Sequence, residues 1–409
     1  MKHPITSYLC LFLAIVVVHA VAQDINQLKK DVSFLASDEL EGREIGFKGE
    51  EEAASYLAKR FEAIGLTPKG TNGYIQEFSV KPSNNPHEEV KVGEKGDSTI
   101  IGHNVVGYID NGSDNIVIIG AHFDHLGFGG ISSLYKGEKA VHNGADDNAS
   151  GTASIIQIAK LLKNKNTNNN YLIVAFSGEE QGLWGSNYYS KHATINMEKV
   201  NYMINLDMVG RLNEEKALAI NGVGTSPQWN KAFEEIGDRG FKLIKKESGI
   251  GPSDHTTFYL KDIPVLHFFT GQHEDYHKPS DDAEKVNYEG MVEIVQFIDA
   301  LISSLDPKEK LTFTKTKDES TRVPRFTVTL GVVPDYLYGD EGMRIDGISE
   351  GKPAQKAGLQ VGDIVIKMGD TEVKDMMSYM KALSSFKKGD TTTVVVLRKK
   401  EKIEVGIEF

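Results

Sequence analysis

Hydrophobic residues recur with two different spacings along the first 305 residues. Apolar positions three and four residues apart predict helices, and short continuous apolar runs predict buried strands. The predicted helices span 25–35, 49–66, 148–162, 182–192, 228–237 and 283–304. The predicted strands span 73–80, 104–109, 115–120, 171–176, 202–206, 217–221 and 264–268. Because strands and helices alternate across short turns, we predict an α/β three-layer sandwich with a central mixed, largely parallel sheet flanked by helices.

The pattern changes after residue 305. Residues 306–321 are rich in Lys, Glu and Thr and contain few apolar positions, which is typical of a flexible linker. Short β-like runs separated by turn glycines return further on, and they fill a segment of ordinary domain size. The sequence therefore predicts a first domain over 23–305, a linker over 306–324 and a small β-rich domain over 325–409.

The first 22 residues have the pattern of a signal peptide. Lys2 precedes an apolar run over 9–18, and the segment ends in the Ala-x-Ala arrangement typical of cleavage after Ala22. The run is short for a membrane span, although an uncleaved anchor stays open as an alternative. Cys10, the only cysteine in the sequence, lies in this segment. We expect an exported protein, periplasmic or secreted, whose mature form has no disulfide.

The acidic balance of the chain narrows its range of partners. A formal net charge of −12 argues against nucleic acid or an anionic membrane as the main partner, because both attract a basic surface. No nucleic acid and no stable membrane span after signal cleavage are therefore expected.

Histidines and carboxylates follow several of the predicted strands. In layered α/β domains ligands gather outside the carboxyl ends of the strands, and such a set can hold a pair of divalent metals that activates water. The clusters are His122 with Asp124, Asp146 with Asp147, Glu179 with Glu180, Asp207, and His277.

Taken singly, each cluster also has an ordinary structural interpretation. The Asp146–Asp147 pair opens a predicted helix, where acidic residues are expected as caps. The Glu179–Glu180 pair is compatible with a solvated loop, but two adjacent carboxylates after an apolar strand repel each other at low dielectric unless a cation is present. One of them can then bind metal while the other accepts a proton from water. The residues alone leave the choice between Asp146 and Asp147 open.

Taken together, the ordered clusters resemble a known family. They closely resemble metallopeptidase family twenty-eight, the co-catalytic zinc aminopeptidases of bacterial leucyl aminopeptidase type. Segments 35–43 and 253–258 are also similar to segments of that family, and the resemblance covers roughly 24–305. The motifs that carry it are His122-x-Asp124, Asp146-Asp147-Asn148-x-Ser150-Gly151, Glu179-Glu180-x-Gly182, Asn205-x-Asp207 and Tyr276-His277-Lys278.

The resemblance implies a site for two Zn²⁺ ions per chain. One zinc would be held by His122 and Asp207 and the other by Glu180 and His277. The bridging aspartate of the family stands three positions before the serine of the Ser-Gly pair, which selects Asp147 as the bridge.

Further roles follow from the same resemblance. Glu179 would be the general base, Asp124 the residue that orients His122, and Tyr276 a hydrogen-bond donor to the developing oxyanion. Residues 253–255 are expected to line the site or fix its loop without binding metal.

The C-terminal segment resembles a PDZ domain of exported bacterial proteases. Leu330-Gly331-Val332 is similar to the carboxylate-binding loop, 349–359 to the central helix-and-turn motif and 361–365 to the following strand. Such a loop captures a peptide C-terminus while the peptide adds as a strand. Pro334 departs from the pattern, because proline cannot donate a hydrogen bond in the pairing strand.

The sequence therefore predicts an exported di-zinc aminopeptidase that removes N-terminal residues from peptides. Three alternatives stay open: a carboxypeptidase, a glutaminyl cyclase-like enzyme with one zinc, and a non-catalytic peptide-binding receptor. The complete ligand set disfavours the receptor and the cyclase. The sequence has no recognisable insertion domain between Tyr108 and His122, which weighs against the carboxypeptidase without excluding it.

Overall fold

The structure is a computed structural model of the chain. It describes residues 25–81, 91–92, 99–130, 132–163, 165, 168–306, 309–316, 328–335, 338, 340–348 and 351–409. The predicted signal peptide with Cys10, residues 317–327 and residues 349–350 of the PDZ motif lie outside the described residues. Within the ranges given, no helix has both the length and the apolar character that crossing a membrane requires.

The helices of the first domain follow the apolar periodicity closely. They are α1 (25–35), α2 (Lys48–Ile64), α3 (Gly151–Lys163), α4 (Trp184–Lys191), α5 (Pro227–Ile236), α6 (His255–Tyr259) and α7 (Tyr288–Leu305). α3 begins later than predicted because residues 145–150 form an irregular turn. α7 also begins late: Asn287 caps it by accepting a hydrogen bond from the Gly290 amide.

The strands of this domain form one ten-stranded sheet. They are β1 (Thr67–Pro68), β2 (Ile75–Lys81), β3 (Lys91–Val92), β4 (Ile100–Ile109), β5 (Ile116–His122), β6 (Asn170–Phe176), β7 (Val200–Leu206), β8 (Ala217–Asn221), β9 (Lys242–Lys246) and β10 (Val265–Phe269). The sequence did not predict β9, because its Lys-Leu-Ile-Lys-Lys sequence is polar and half exposed at the sheet edge. It also missed the five-residue α6, which is too short for helical periodicity to show.

The strand order is β3-β2-β4-β6-β5-β7-β10-β8-β9, with β1 paired to β4. The central strands β6, β5, β7 and β10 run parallel, whereas β2, β4 and β6 pair antiparallel, as do β8 and β10.

Alternate residues of β5 enter two different cores. Val117 and Ile119 pack under α2, α3, α5 and α7, and Ile116 and Ile118 pack toward α4 and α6. The predicted three-layer sandwich with a mixed sheet is confirmed.

The C-terminal segment has its own sheet and core. Its strands are β11 (Val332–Pro334), β12 (Met343–Ile348), β13 (Ile364–Met368), β14 (Thr371–Glu372), β15 (Thr391–Arg398) and β16 (Glu401–Glu408), with helices α8 (Pro353–Lys356) and α9 (Met376–Leu383). The sheet order is β11-β12-β13-β15-β16, with β14 on β13. Pro334 lies in β11 directly after a register shift, which is how a strand accommodates a residue without an N–H. The predicted small β-rich domain is confirmed.

Part of the predicted linker packs on the first domain. The Leu311 amide donates to Asn201 Oδ1 at 2.7 Å, and the Thr314 amide donates to the Thr225 carbonyl at 2.8 Å. The Leu311 side chain is buried, and the Phe313 ring packs against the Tyr259 ring at 5.5 Å. The prediction of a flexible linker is therefore wrong for residues 309–316, because a few apolar side chains and backbone hydrogen bonds suffice to hold a polar segment.

Candidate metal centre

The central strands bring the predicted metal ligands to one edge of the sheet. His122 is the last residue of β5, and Asp207 directly follows its neighbour β7. Glu180 follows β6, on the other side of β5, while His277 lies in the loop after β10. Because parallel neighbours end at the same edge, residues distant in sequence converge there.

Asp147 lies between two groups of donor atoms. Its Oδ1 is 3.4 Å from His122 Nε2, and the same nitrogen is 3.4 Å from Asp207 Oδ1. Its Oδ2 is 3.2 Å from His277 Nε2, which lies 3.3 Å from Glu180 Oε2. The structure thus brings all five predicted ligands together and divides them as the family resemblance implies, with Asp147 shared.

The spacing of these atoms fits zinc. Nitrogen and oxygen ligands bind zinc at about 2.0–2.2 Å in a tetrahedral arrangement, which places two ligand atoms about 3.3–3.5 Å apart. The donor distances of 3.2–3.4 Å agree with that spacing. Among the described residues, His122, Asp147 and Asp207 form one group able to hold a metal ion, and His125, Asp147 and Glu180 form another. The donor set therefore has the chemistry and the spacing that zinc binding requires.

Both histidines present a fixed nitrogen to this centre. His277 Nδ1 donates to the Ser132 carbonyl at 2.8 Å, and His122 Nδ1 lies 3.2 Å from the Asp124 carbonyl. The hydrogen bond made by one ring nitrogen determines which nitrogen is free to bind a metal. Nε2 is left facing the carboxylates in both residues.

His125 belongs to the centre although sequence reasoning did not include it. Its Nδ1 lies 2.8 Å from Glu180 Oε1 and 4.0 Å from Asp147 Oδ2. His125 contacts Oε1 of Glu180, whereas His277 faces Oε2. His125 therefore fixes the orientation of the Glu180 carboxylate and leaves Oε2 directed toward His277. Its position directly after Asp124 was the available sequence clue.

The turn over 145–150 places Asp147, and not Asp146, in the centre. Gly144 precedes it with φ 55°, and a Cβ there would lie 2.1 Å from the Asp147 carbonyl oxygen. Asp281 Oδ2 accepts hydrogen bonds from the amides of Asp146 and Asp147 at 2.9 and 3.1 Å. The Asp146 carboxylate turns away and accepts from the Gly210 amide at 2.6 Å. Burial, reinforced by the Asp146 charge, raises the pKa of Asp281 to about 6.

Asp124 acts differently from the expectation. Its carboxylate is 3.6 Å from His122 Nδ1, too far for a hydrogen bond, and the backbone carbonyl orients the imidazole instead. The Asp124 carboxylate accepts from the Glu179 amide at 3.0 Å and the Glu180 amide at 3.4 Å. The side chain thus fixes the turn that carries these two glutamates, because the amides of that turn point toward it.

Glu179 and Tyr276 line the same cavity, which has a volume of about 90 Å³. Burial raises the pKa of Glu179 well above its usual range; the His122 imidazole opposes this effect, and the charge of Asp207 reinforces it. The Tyr276 ring stacks on the His277 ring with centroids 3.8 Å apart. Both residues therefore lie beside the candidate metal ligands, and their roles as general base and oxyanion donor stay predictions.

Comparison with known proteins relates the two domains of the chain to known families. Residues 104–302 match the family model for Peptidase family M28, and residues 300–409 match that for the PDZ domain. Aminopeptidase YwaD of Bacillus subtilis is 29% identical to the chain over 208 residues. That match covers 48% of this chain and 42% of YwaD, so the chain spans less than half the length of this relative.

Solved structures share the fold of the first domain. A zinc aminopeptidase from Bacillus subtilis superposes with a TM-score of 0.52 and 18% identity, over 70% of this chain and 98% of that one. A glutaminyl cyclase from Bacteroides thetaiotaomicron superposes with a TM-score of 0.51 and 18% identity, over 69% of this chain and 97% of that one. At this identity the two likenesses establish the fold alone.

Arg43, which lies before the matched range 104–302, donates hydrogen bonds to the loops that carry the candidate metal ligands. The Arg43 guanidinium is fully buried and donates to the carbonyls of Phe123 at 2.6 Å, Asn143 at 2.6 Å and Gly144 at 3.0 Å. It also donates to the Leu35 carbonyl. Burial lowers the pKa of Arg43 to about 10, although nearby carboxylates oppose this effect. The sequence showed a resemblance over 35–43 but gave no role to Arg43.

Residues 253–255 lie near the candidate metal centre and belong to neither of the two donor groups. Ser253 Oγ accepts a hydrogen bond from Asn205 Nδ2 at 2.8 Å. Burial raises the pKa of Asp254 to about 7, and the His255 ring stacks on the His267 ring at 4.5 Å. All three residues are buried, as expected for residues that line or fix the site.

Proposed function

We propose that this chain is an exported di-zinc aminopeptidase. The observation that carries the proposal is the sharing of Asp147 by two donor groups with tetrahedral spacing, one with His122 and Asp207 and one with His277 and Glu180. The match of residues 104–302 to the model for Peptidase family M28 and the similarity to aminopeptidase YwaD support peptide hydrolysis from the N-terminus.

The residues around the metal ligands supply the steps of hydrolysis. A zinc pair bound here would lower the pKa of a water molecule toward neutrality and polarise the substrate carbonyl. Glu179, at the edge of the cavity, accepts the proton of the attacking water and later donates it to the leaving amine. The Tyr276 hydroxyl donates a hydrogen bond to the carbonyl oxygen as charge develops there, a contribution worth about 3 to 4 kcal/mol per donor in other hydrolases.

The surrounding segments define the setting of this reaction. The pattern of Lys2, the apolar run over 9–18 and the cleavage pattern ending at Ala22 supports export. The match to the PDZ domain supports capture of peptide C-termini at Leu330-Gly331-Val332. The net charge of −12 supports peptides over nucleic acid as partners.

A panel of substrates tests the activity. We expect the zinc-loaded protein to hydrolyse aminoacyl anilides, to leave their N-acetylated counterparts intact, and to lose activity with a chelator. A cyclase-like function is the second candidate, because a glutaminyl cyclase shares the fold. Release of pyroglutamate from N-terminal glutamine, without hydrolysis of other aminoacyl anilides, would establish the cyclase and exclude the aminopeptidase.

Metal content provides a separate prediction. We expect about two zinc ions per chain, because five ligands with one shared carboxylate form two sites. Asp207→Ala should lower the content to about one and abolish most activity. Asp114→Ala is the matched control, since the Asp114 side chain is 95% exposed. Elemental analysis with one tight zinc in the parent protein, and no loss of activity in Asp207→Ala, would contradict the two-zinc proposal.

The packed segment 309–316 determines where the PDZ domain can be removed. We expect a chain that ends after Thr316 to retain the stability of the first domain. Ending after Leu305 exposes the surface that Leu311 covers and removes its hydrogen bonds, which should cost about 2 to 5 kcal/mol. Denaturant unfolding of the two truncated chains measures this difference; equal stabilities would show that the segment contributes nothing.

The chain ending after Thr316 also tests the role of the PDZ domain. It should cleave dipeptides at the rate of the full chain and longer peptides more slowly, because the PDZ domain raises the local concentration of substrates it captures. Equal ratios for both substrates would refute recruitment.

A further inference from the structure

One wall of the metal cavity is built from two cross-strand pairs. β10 pairs antiparallel with β8, in a register that sets His267 opposite Asn221 and Phe269 opposite Ala219. Leu266 and Phe268, the alternate residues of β10, enter the core under the helices. His267, Phe269 and Asn221 consequently face the cavity that contains the metal ligands.

The polar pair leaves one hydrogen-bond donor open. Asn221 Nδ2 donates to His267 Nδ1 at 3.1 Å, which places the ring proton on Nε2. Nε2 is buried and has no partner among the described residues. Burial lowers the pKa of His267 to about 4, so the ring is neutral at pH 7 although the Asp207 charge opposes the effect. The His255 ring, stacked on it at 4.5 Å, holds its plane.

An open acceptor lies in the same cavity. Gln272 lines it, and Gln272 Oε1 is buried without a hydrogen-bond partner in the part of the chain that the structure describes. Away from the metal ligands the lining includes the apolar side chains of Met208 and Phe269, which form a buried cluster with Ala219 against which Tyr276 packs. The residues that line the cavity therefore include apolar side chains, a histidine with an unpaired buried donor and a glutamine with an unpaired buried acceptor.

These groups distinguish between side chains of equal size. An aliphatic side chain would leave His267 Nε2–H and Gln272 Oε1 unpaired, and each unpaired buried group costs about 1–3 kcal/mol. A carboxylate would meet Gln272 Oε1, an acceptor that has no hydrogen to donate to it. A side-chain amide offers an oxygen to the donor and an NH₂ to the acceptor, and its methylenes fit the apolar walls.

We infer that this cavity holds the side chain of the N-terminal residue and selects the neutral amides asparagine and glutamine over leucine and methionine. The inference rests on the proposed function for its biological meaning, but the binding preference is a property of the cavity. Discrimination of this kind is large, because a site built for hydrogen bonds rejects an analogue that lacks them.

Calorimetry with the zinc-loaded full chain tests the preference directly. Asparagine against leucine and glutamine against methionine are pairs of similar shape. We expect the amide member of each pair to bind at least about 10-fold more tightly. His267→Phe keeps a flat ring but removes the donor, and it should reduce or reverse the preference. Zinc content should stay unchanged, and His192→Phe, at an exposed position, is the matched control.

The possible results test the binding preference of the cavity and the aminopeptidase proposal separately. Equal or weaker binding of the amides by the parent protein, or an unchanged preference in His267→Phe, would overturn the inference. Should His267→Phe fail to fold, Gln272→Met removes the acceptor and should also reduce the preference; an unchanged preference there would overturn the inference as well. A preference for the amides without hydrolysis of Asn-Ala, Gln-Ala, Leu-Ala or Met-Ala would support the cavity and refute the aminopeptidase.

Discussion

Glu179→Gln should lower kcat by roughly 10²- to 10⁴-fold while both zinc ions stay bound. Glutamine retains the shape and hydrogen-bonding capacity of the side chain but cannot accept a proton from water. Zinc should be retained because Glu179 belongs to neither metal group, whereas its neighbour Glu180 does. Turnover of an aminoacyl anilide, measured together with zinc content, gives the result.

Glu180→Gln is the matched comparison for this experiment. It makes the same chemical change one residue further on, at a carboxylate 3.3 Å from His277 Nε2. We expect this variant to lose zinc as well as activity. A Glu179→Gln enzyme within a few-fold of the parent rate would show that another group removes the proton.

The sequence located the candidate metal ligands because much of their chemistry is encoded locally. Three of the candidate ligands stand at or soon after an apolar strand: His122 ends β5, Glu180 follows β6 and Asp207 follows β7. Parallel strands bring such positions together without any need to know the loops. The resemblance then selected Asp147 over Asp146, and the structure shows the physical reason, since the Gly210 amide and His273 hold Asp146 away from the centre.

The supporting residues could not be predicted in this way because their partners are distant in sequence. Arg43 contacts a carbonyl 80 residues away and another 101 residues away, and no periodicity encodes these contacts. Asp281 reaches the amides of a turn about 135 residues earlier. The cavity wall of His267 and Asn221 depends on the register of β10 with β8, which a single sequence does not determine.

The prediction of a flexible linker was wrong for residues 309–316 because composition does not reveal tertiary contacts. Composition correctly described residues 309–316 as polar, but composition does not reveal whether backbone groups find partners. The Leu311 and Thr314 amides do find them on the first domain. Polarity is thus a weaker guide to flexibility than hydrogen bonding and burial are.

Arg43→Met should destabilise the first domain by about 3–5 kcal/mol and weaken zinc binding. Methionine fills part of the space but leaves the carbonyls of Phe123, Asn143 and Gly144 without their buried donor. The Phe123 carbonyl belongs to the residue after His122, and the Gly144 carbonyl directly precedes the turn that carries Asp147. Displacement of these two carbonyls should therefore move ligands of both metal groups. The removed cation also compensated nearby carboxylates, Asp124 and Asp147 among them.

Two further variants complete this experiment. One tests whether the charge of Arg43 suffices without its planar shape, and the other is a surface control. Arg43→Lys keeps the charge but offers one ammonium in place of a planar fork, so it should recover only a small part of the loss. Arg239→Met, at an exposed position, should leave stability unchanged. Denaturant unfolding of the metal-free proteins and zinc competition against a chelator measure the two effects. If Arg43→Met matched the parent in both measurements, the N-terminal segment would not brace the centre, and the metal ligands would owe their positions to the sheet alone.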